Sequence, residues 1–277
     1  MGEMMSTARS AERLLGSFAP AAIAALACCL ATCTAAETAN SAPRPTLVVP
    51  HAAIVPLVTA AADDPAWAAA VVIPSLHQAY NHEGPAVIVP GTTVKALWTA
   101  EALFLRCIAA DDDIYTPKDQ RDADLYDGDV FEIFLDPSGD GHVVYEIGAA
   151  PNGAVYDTAT LVTATPVYNE ALALDWNFVG RDVWFQRGWN LDGLRSAASR
   201  TAAGWTIDVV IPAKGLLRRL GSEQFTANQS LRANVLRYDW PKDPDGTRTH
   251  LHLDWSPTAA GRPHISAAAL GTFRLAP

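Results

Sequence analysis

An all-β protein, an antiparallel β-sandwich of two packed sheets with short helices and long loops, is the fold class this sequence predicts, and three observations carry it. Short runs of alternating or β-branched residues recur along the chain. Turn formers bound them, with 18 Gly and 19 Pro in 277 residues. Strand and helix patterns do not alternate regularly, which sets a parallel α/β sheet aside. At 49% hydrophobic and 18% charged residues the chain is too apolar for disorder. No period of 20 to 50 residues recurs, so solenoids and propellers are excluded.

The first 36 residues stand apart and read as a secretory signal peptide. Arg9 and Arg13 precede an apolar run from Leu14 to Leu30, and small residues follow to Ala36. The run is broken by Gly16, Ser17 and Pro20, whereas a spanning helix needs about 20 consecutive apolar residues. Ala25-Leu26-Ala27-Cys28 and Leu30-Ala31-Thr32-Cys33 each resemble a bacterial lipobox with one imperfect position. Two outcomes stay open: an N-terminal cysteine carrying a lipid, the only membrane attachment expected, or plain cleavage near Ala36. Either predicts an exported protein, periplasmic, outer-membrane-anchored or extracellular. Residues 37–50 read as a linker and 51–277 as the sandwich. Cleavage removes two charges of each sign, so the net charge of −10 belongs to the folded part. Only Cys107 lies there, which excludes an intradomain disulfide and leaves burial to stabilise the fold.

Within the sandwich, Val94–Trp98 and Leu103–Ala109 read as a first hairpin. Asp129–Leu135 and Val143–Ala149 flank the acidic turn Asp136-Pro-Ser-Gly-Asp-Gly141 and read as a second. Ala154–Tyr156, Val183–Gln186, Trp205–Ile211, Leu231–Tyr238 and Thr272–Leu275 supply further strands; Pro65–Ala70 and Ala213–Leu220 supply the short helices. The polar stretch Thr158–Arg200, with Trp176, Trp184 and Trp189, reads as one long loop walling a cleft. With 20 Lys plus Arg against 30 Asp plus Glu, there is no basic stripe for a phosphate backbone, and no nucleic acid partner is expected. Eight tryptophans suit stacking on sugar rings.

Several blocks then fall into a known order: Leu97–Phe104, Arg121–Pro137 with Tyr126-Asp-Gly-Asp-Val-Phe-Glu132 inside it, Tyr145-Glu146-Ile147, Pro151–Asp157, Gly204–Pro212, Asn234-Val-Leu-Arg237, Trp255-Ser-Pro257, His264 and Gly271. Together they resemble the family 9 carbohydrate-binding module and cover most of the chain after Ala61. The resemblance implies an antiparallel sandwich, structural calcium, and a cleft that clamps a terminal saccharide between two indoles beside charged side chains. It places Tyr126 where the family has one clamp indole. It places Glu146 at or near a sugar-contacting arginine, reversing the charge there.

Each candidate side chain has two readings. Glu132 shares a strand face with Val130 and Phe134 and needs a partner, either sugar hydroxyls or an ion pair with Arg237 or Arg121. Glu146 is expected on the same surface and Tyr145 on the opposite one, so Glu132, Glu146, Arg237 and Asn234 form the predicted polar cluster. Trp176 and Trp255 are candidate stacking platforms beside Trp189, whereas Trp98 and Trp205 read as core. His264 reads as cleft-facing or as a capped structural histidine. His250 and His252 share a face, yet no third metal ligand stands near them. Asp136 and Asp140 form an acidic turn or hold a family-type calcium; an EF-hand is rejected, since strands flank the turn.

The function these readings predict is an exported carbohydrate-binding protein recognising an oligo- or polysaccharide. The alternative is a glycan-active enzyme, a polysaccharide lyase or glycoside hydrolase using two carboxylates or a tyrosine base in the same cleft. Nucleophile elbows, phosphate loops and dinucleotide fingerprints are lacking. A haem-binding relative would have no axial methionine, because the three methionines are Met1, Met4 and Met5.

Overall fold

In the computed structural model, residues 44–78, 85–162, 176–178, 183–257 and 270–277 are described. Among them, sixteen strands run in chain order: β1 (Thr46–Val49), β2 (Val71–Ile73), β3 (Leu76–Gln78), β4 (Val87–Val89), β5 (Thr92–Trp98), β6 (Ala102–Ala110), β7 (Val130–Asp136), β8 (Val143–Ala149), β9 (Val155–Val162), β10 (Trp176–Phe178), β11 (Val183–Gln186), β12 (Arg195–Thr201), β13 (Gly204–Pro212), β14 (Ser230–Asp239), β15 (Leu251–Asp254) and β16 (Gly271–Leu275). They form the two sheets that the alternation predicts. The small sheet has the order β12-β13-β6-β5-β2 and the large one β10-β11-β9-β8-β7-β14-β15-β3-β4.

The ten-residue β14 organises the large sheet. It pairs with β7 on one side; on the other it pairs with β16 through Ser230–Ala233 and with β15 through Leu236–Asp239. β1 adds to β16 in parallel, Thr46 opposite Thr272 and Val49 opposite Leu275. This corrects the predicted linker: the compact unit begins at Arg44, because the β-branched run after Pro45 finishes a sheet. The predicted long loop also contains structure. β9 continues to Val162, and β12 forms a hairpin with β13 from small polar residues that carry no strong strand pattern.

Residues alternate across each strand, and one face from each sheet meets in the core. Phe131, Ile133 and Leu135 of β7 and Ile147 of β8 lie in one apolar cluster with Leu103, Leu105 and Cys107 of β6 and Trp205, Ile207 and Val209 of β13. Each large side chain buried this way contributes about 1.5–3 kcal/mol. Burial pushes the Cys107 thiol up to about 12, so it behaves as a small hydrophobe. Trp98 and Trp205 are core, as expected. The short helices form as a 3-10 turn at Pro65–Ala69, capped by Asp64 accepting from the Ala66 N–H, and as α1 (Ala213–Leu216) running into a 3-10 turn at Arg218–Leu220.

The outer face of the small sheet buries an ion pair. Arg106 and Asp208 sit directly opposite each other on β6 and β13 and meet through two hydrogen bonds of 2.7 and 2.9 Å. The loop above closes over them: the Thr59 and Ala60 N–H groups donate to Asp208, and the Arg106 guanidinium lies 4.7 Å from the centre of the Trp67 ring.

Candidate functional site

The outer face of the large sheet carries a second buried polar group, of a different kind. Glu132 of β7, Glu146 of β8 and Tyr156 of β9 meet there. The Tyr156 hydroxyl oxygen is 2.8 Å from Glu132 Oε1 and also in hydrogen-bond contact with Glu146 Oε1. Strand geometry explains the meeting. Gly148 of β8 sits between Glu132 and Tyr156 in register, and its missing side chain is where the Tyr156 ring lies: a Cβ at that position would overlap the ring. Glu132 is sealed at 1% exposure, whereas Glu146 and Tyr156 keep 7% and 8%. Burial first, and then the neighbouring Glu146 charge, push the Glu132 carboxyl well above its ordinary range. Burial, then Glu132 and Glu146, raise the Tyr156 hydroxyl likewise.

Toward the end of β14 the same face carries an aromatic rim. Tyr126 stands on the 3-10 turn Leu125–Asp127 and is 39% exposed, while Leu125 anchors the turn against Val130, Ala154 and Tyr156. Trp240, half-buried just past β14, donates from its indole N–H to the Tyr126 carbonyl at 3.0 Å. Its ring lies 5.0 Å from His250, which in turn lies 5.7 Å from Tyr238; Tyr238 is 4.8 Å from His252. Burial pulls His252 down to about 4, so its imidazole is neutral at physiological pH, and Nε2 lies 3.6 Å from Asp254 Oδ2. Burial lowers His250 too.

The structure divides the predicted polar cluster. Glu132 and Glu146 share a face, as expected, and Tyr145 turns to the core, tilted against Trp189 at 4.9 Å. Arg237 does not join them. It is in register with Phe131, one residue off Glu132, and so projects to the inner face. There it donates to Thr92 and to the Ala110 carbonyl, pairs with Asp111 and Asp239, and lies over Trp205. Nor does Arg121 reach Glu132; it pairs with Asp157. Asn234 is buried with its amide committed to both backbone groups of Ser256, and it fixes strand geometry. Trp255 packs tilted against Phe273 in the core, ring centroids 5.3 Å apart, and offers no platform. Trp176 opens β10, but its side chain lies outside the described residues, as does His264.

Asp136 and Asp140 form the acidic turn. Both Asp136 oxygens accept from their own loop, from Ser138, Gly139 and Gly141, and Asp140 accepts from the His142 N–H. Carboxylates do gather elsewhere: ligand oxygens of Asp111, Asp129 and Asp239 lie within 4.8 Å of one another. Arg237 already pairs with Asp111 and Asp239 of that cluster, and Asp129 accepts from the backbone N–H of Trp240. Burial, and to a smaller extent the Asp111 and Asp239 charges, still push Asp129 up to about 7.

Tyr156, Trp240 and Tyr238 escaped the sequence reading. Tyr156 stands within the Pro151–Asp157 block and Trp240 directly follows β14; alternation from Asn234 puts Tyr238 and Trp240 on the outer face, whereas Tyr156 follows only from the register of β7, β8 and β9 through Gly148.

A two-sheet antiparallel sandwich of this kind is the fold of a carbohydrate-binding module. The chain belongs to the family described as carbohydrate family 9 binding domain-like, whose model matches residues 59–276. Among solved structures it is similar to a protein from Bacteroides uniformis ATCC 8492 provisionally described as carbohydrate-binding, with a TM-score of 0.58 and 13% identity over 84% of this chain and 99% of that one. It is also similar to a family 9 module from Caldicellulosiruptor kristjanssonii solved with cellotriose, with a TM-score of 0.55 and 12% identity over 84% of this chain and 94% of that one. The same organism's family 9 module with glucose gives a TM-score of 0.54 and 12% identity over 83% and 95%. At these identities the likeness establishes the fold. A search of curated proteins returns no match.

Proposed function

We propose that the outer face of the large sheet binds the end of an oligo- or polysaccharide. The observation that supports this is a half-exposed aromatic pair, Tyr126 and Trp240, at one end of the outer face that also carries Glu132 and Glu146, in a fold shared with sugar-binding modules. An aromatic face stacks on the C–H face of a pyranose, and a carboxylate accepts its hydroxyl protons. Glu132 lies beneath and orients Tyr156.

Because Glu146 replaces the arginine that the family resemblance places there, the cleft offers an acceptor in place of a donor. Cellotriose and glucose, the ligands of the Caldicellulosiruptor neighbours, are the first probes and not the presumed ligands. A glycan array followed by calorimetry on each hit tests the reading. Trp240→Ala is expected to lower affinity roughly 30-fold, about 2 kcal/mol, with an unchanged melting temperature. Binding unaffected by Trp240→Ala and Tyr126→Ala together would place the ligand elsewhere. Products are checked for new reducing ends or unsaturated sugars, whose appearance would favour the lyase or hydrolase alternative.

We also infer export, from the basic, apolar and small-residue order of residues 1–36. Mass spectrometry of the mature N-terminus tests it and separates a lipidated Cys28 or Cys33 from cleavage near Ala36.

A further inference from the structure

The turn that follows β11 carries a cation to the aromatic rim. The Trp189 N–H closes it on the Gln186 carbonyl at 3.3 Å, and the same carbonyl accepts from Thr158 Oγ1 of β9 at 2.6 Å. Trp189 packs against Tyr145, so the base of the turn is anchored on the core, while the Arg187 side chain at its tip is 48% exposed. Arg187 meets the 3-10 turn that bears Tyr126. Its Nη1 donates to Asp124 Oδ1 at 2.7 Å, and its guanidinium is hydrogen-bonded to the Tyr126 hydroxyl, which Asp124 also reaches. Burial first, then the Asp124 charge, raise that hydroxyl above its ordinary value against the opposing pull of Arg187, so the phenol is neutral. Tyr126 is thus held at both ends, because Trp240 Nε1 donates to its main-chain carbonyl at 3.0 Å. We propose that Arg187 is a specificity-determining residue of the saccharide site, donating two N–H groups to a pair of neighbouring hydroxyls on the sugar stacked at Tyr126 and Trp240, and that the sugar so selected is neutral.

The other cations beside Tyr126 are taken up by carboxylates. Lys118 bridges Asp124 and Asp127, and Arg121 pairs with Asp122 and Asp157 while also donating to the Asn190 side chain. Among the described residues Asp124 is the one carboxylate bonded to Arg187. A guanidinium carries five N–H groups on a rigid plane, and a single carboxylate oxygen and a phenol do not consume them. Such a fork fits two adjacent hydroxyls as it fits a carboxylate, and the surrounding charge decides between them. The ion pairs here set three cations, Lys118, Arg121 and Arg187, against four carboxylates, so a uronic acid would meet a surface that is already negative. Neutral hydroxyls meet no such repulsion.

The inference rests on the saccharide reading, and calorimetry of the full protein with the tightest neutral hit of the glycan array tests it. Arg187→Ala is expected to weaken binding about tenfold or more, the scale of a charge-assisted hydrogen bond. Arg187→Lys should stay at least about threefold weak, since an ammonium does not span two hydroxyls; full rescue by lysine overturns the fork. Asp124→Asn removes the exposed ion pair, keeps the guanidinium and is expected to cost less than about threefold. A loss as large as that of Arg187→Ala would make Arg187 a positioning residue and overturn its donor role. The uronic acid counterpart of the hit should bind at least about threefold more weakly than the neutral sugar, and a tighter uronate overturns the neutral class. Phenylglyoxal labelling of Arg187 in the wild-type protein, followed by peptide mass spectrometry, reads the contact without any variant. Saturating saccharide is expected to slow it at least about fivefold, and an unchanged rate overturns the contact. Binding lost in Trp240→Ala and kept in Arg187→Ala strikes this inference and leaves the proposed function. Wild-type protein that binds no saccharide overturns the proposed function and this inference with it.

Discussion

Each sheet of the sandwich buries a carboxylate on its outer face, and the two are held by opposite means. Asp208 on the small sheet has a bidentate arginine directly across the ladder and two backbone N–H donors from the covering loop. Glu132 on the large sheet has another carboxylate and a tyrosine. The first arrangement is complete within the chain, and nothing about it invites a ligand. The second sets two carboxyl groups on one hydroxyl, and burial, then the neighbouring Glu146, push Glu132 well above its ordinary range. Such tension costs stability and is seldom retained in a site that only has to fold. The polar group worth reading for function is therefore the one whose carboxyl is pushed furthest from its ordinary range.

The comparison breaks most readily on the small sheet. Arg106→Met leaves Asp208 buried without its cation, and urea denaturation is expected to show a loss of about 3–5 kcal/mol. A loss below about 1 kcal/mol would mean that Asp208 is supported by the loop N–H groups alone. Next comes Gly148→Ala, which forces a methyl group into the Tyr156 ring and is expected to cost about 1–3 kcal/mol and to weaken saccharide binding in parallel.

Glu132→Gln acts in the opposite direction. A carboxyl whose folded pKa lies above its unfolded one binds its proton more tightly in the folded state. Its contribution is fully favourable below the unfolded value and is lost as pH rises through the folded one. Wild-type stability should therefore decline with rising pH, and Asp129, pushed up to about 7, adds a decline of the same sign between about pH 4 and 7. Relative to wild type, Glu132→Gln is expected to gain about 1 kcal/mol at pH 8, roughly 2–4 °C in Tm, and nothing at pH 4. An equal effect at both pH values would show that packing, and not charge, is responsible. Smallest of all, Lys214→Ala removes an exposed pair with Glu223 at 3.7 Å and is expected to leave Tm unchanged.

The fold was legible because both central hairpins, β5–β6 and β7–β8, are apolar and β-branched runs joined by short turns, Thr99–Ala102 and Pro137–His142. Strands of three or four residues, such as β2, β3 and β15, are too short to show a period, and β12 reads as a loop because Arg195-Ser-Ala-Ala-Ser-Arg-Thr201 is stabilised by its partner strand. For the site, alternation placed Glu132 with Glu146 correctly. Alternation also separates Arg237 from Asn234, three residues apart on β14 and so on opposite faces, and the pairing of Arg237 with Phe131 shows that Arg237 is the inner one. Trp255 was misread for a similar reason: a tryptophan's partners, here Phe273 from the far end of the chain, are not written near it.

Cys107 has a practical consequence. It is sealed in the sandwich core, its thiol is raised to about 12, and the other three cysteines precede Arg44. The surface of the folded unit is thus blank to thiol-directed reagents under native conditions. A single cysteine introduced next to Tyr126 or Trp240 would take a fluorophore at that point alone, making the sandwich a ready scaffold for a reporter whose emission changes as the outer face is occupied.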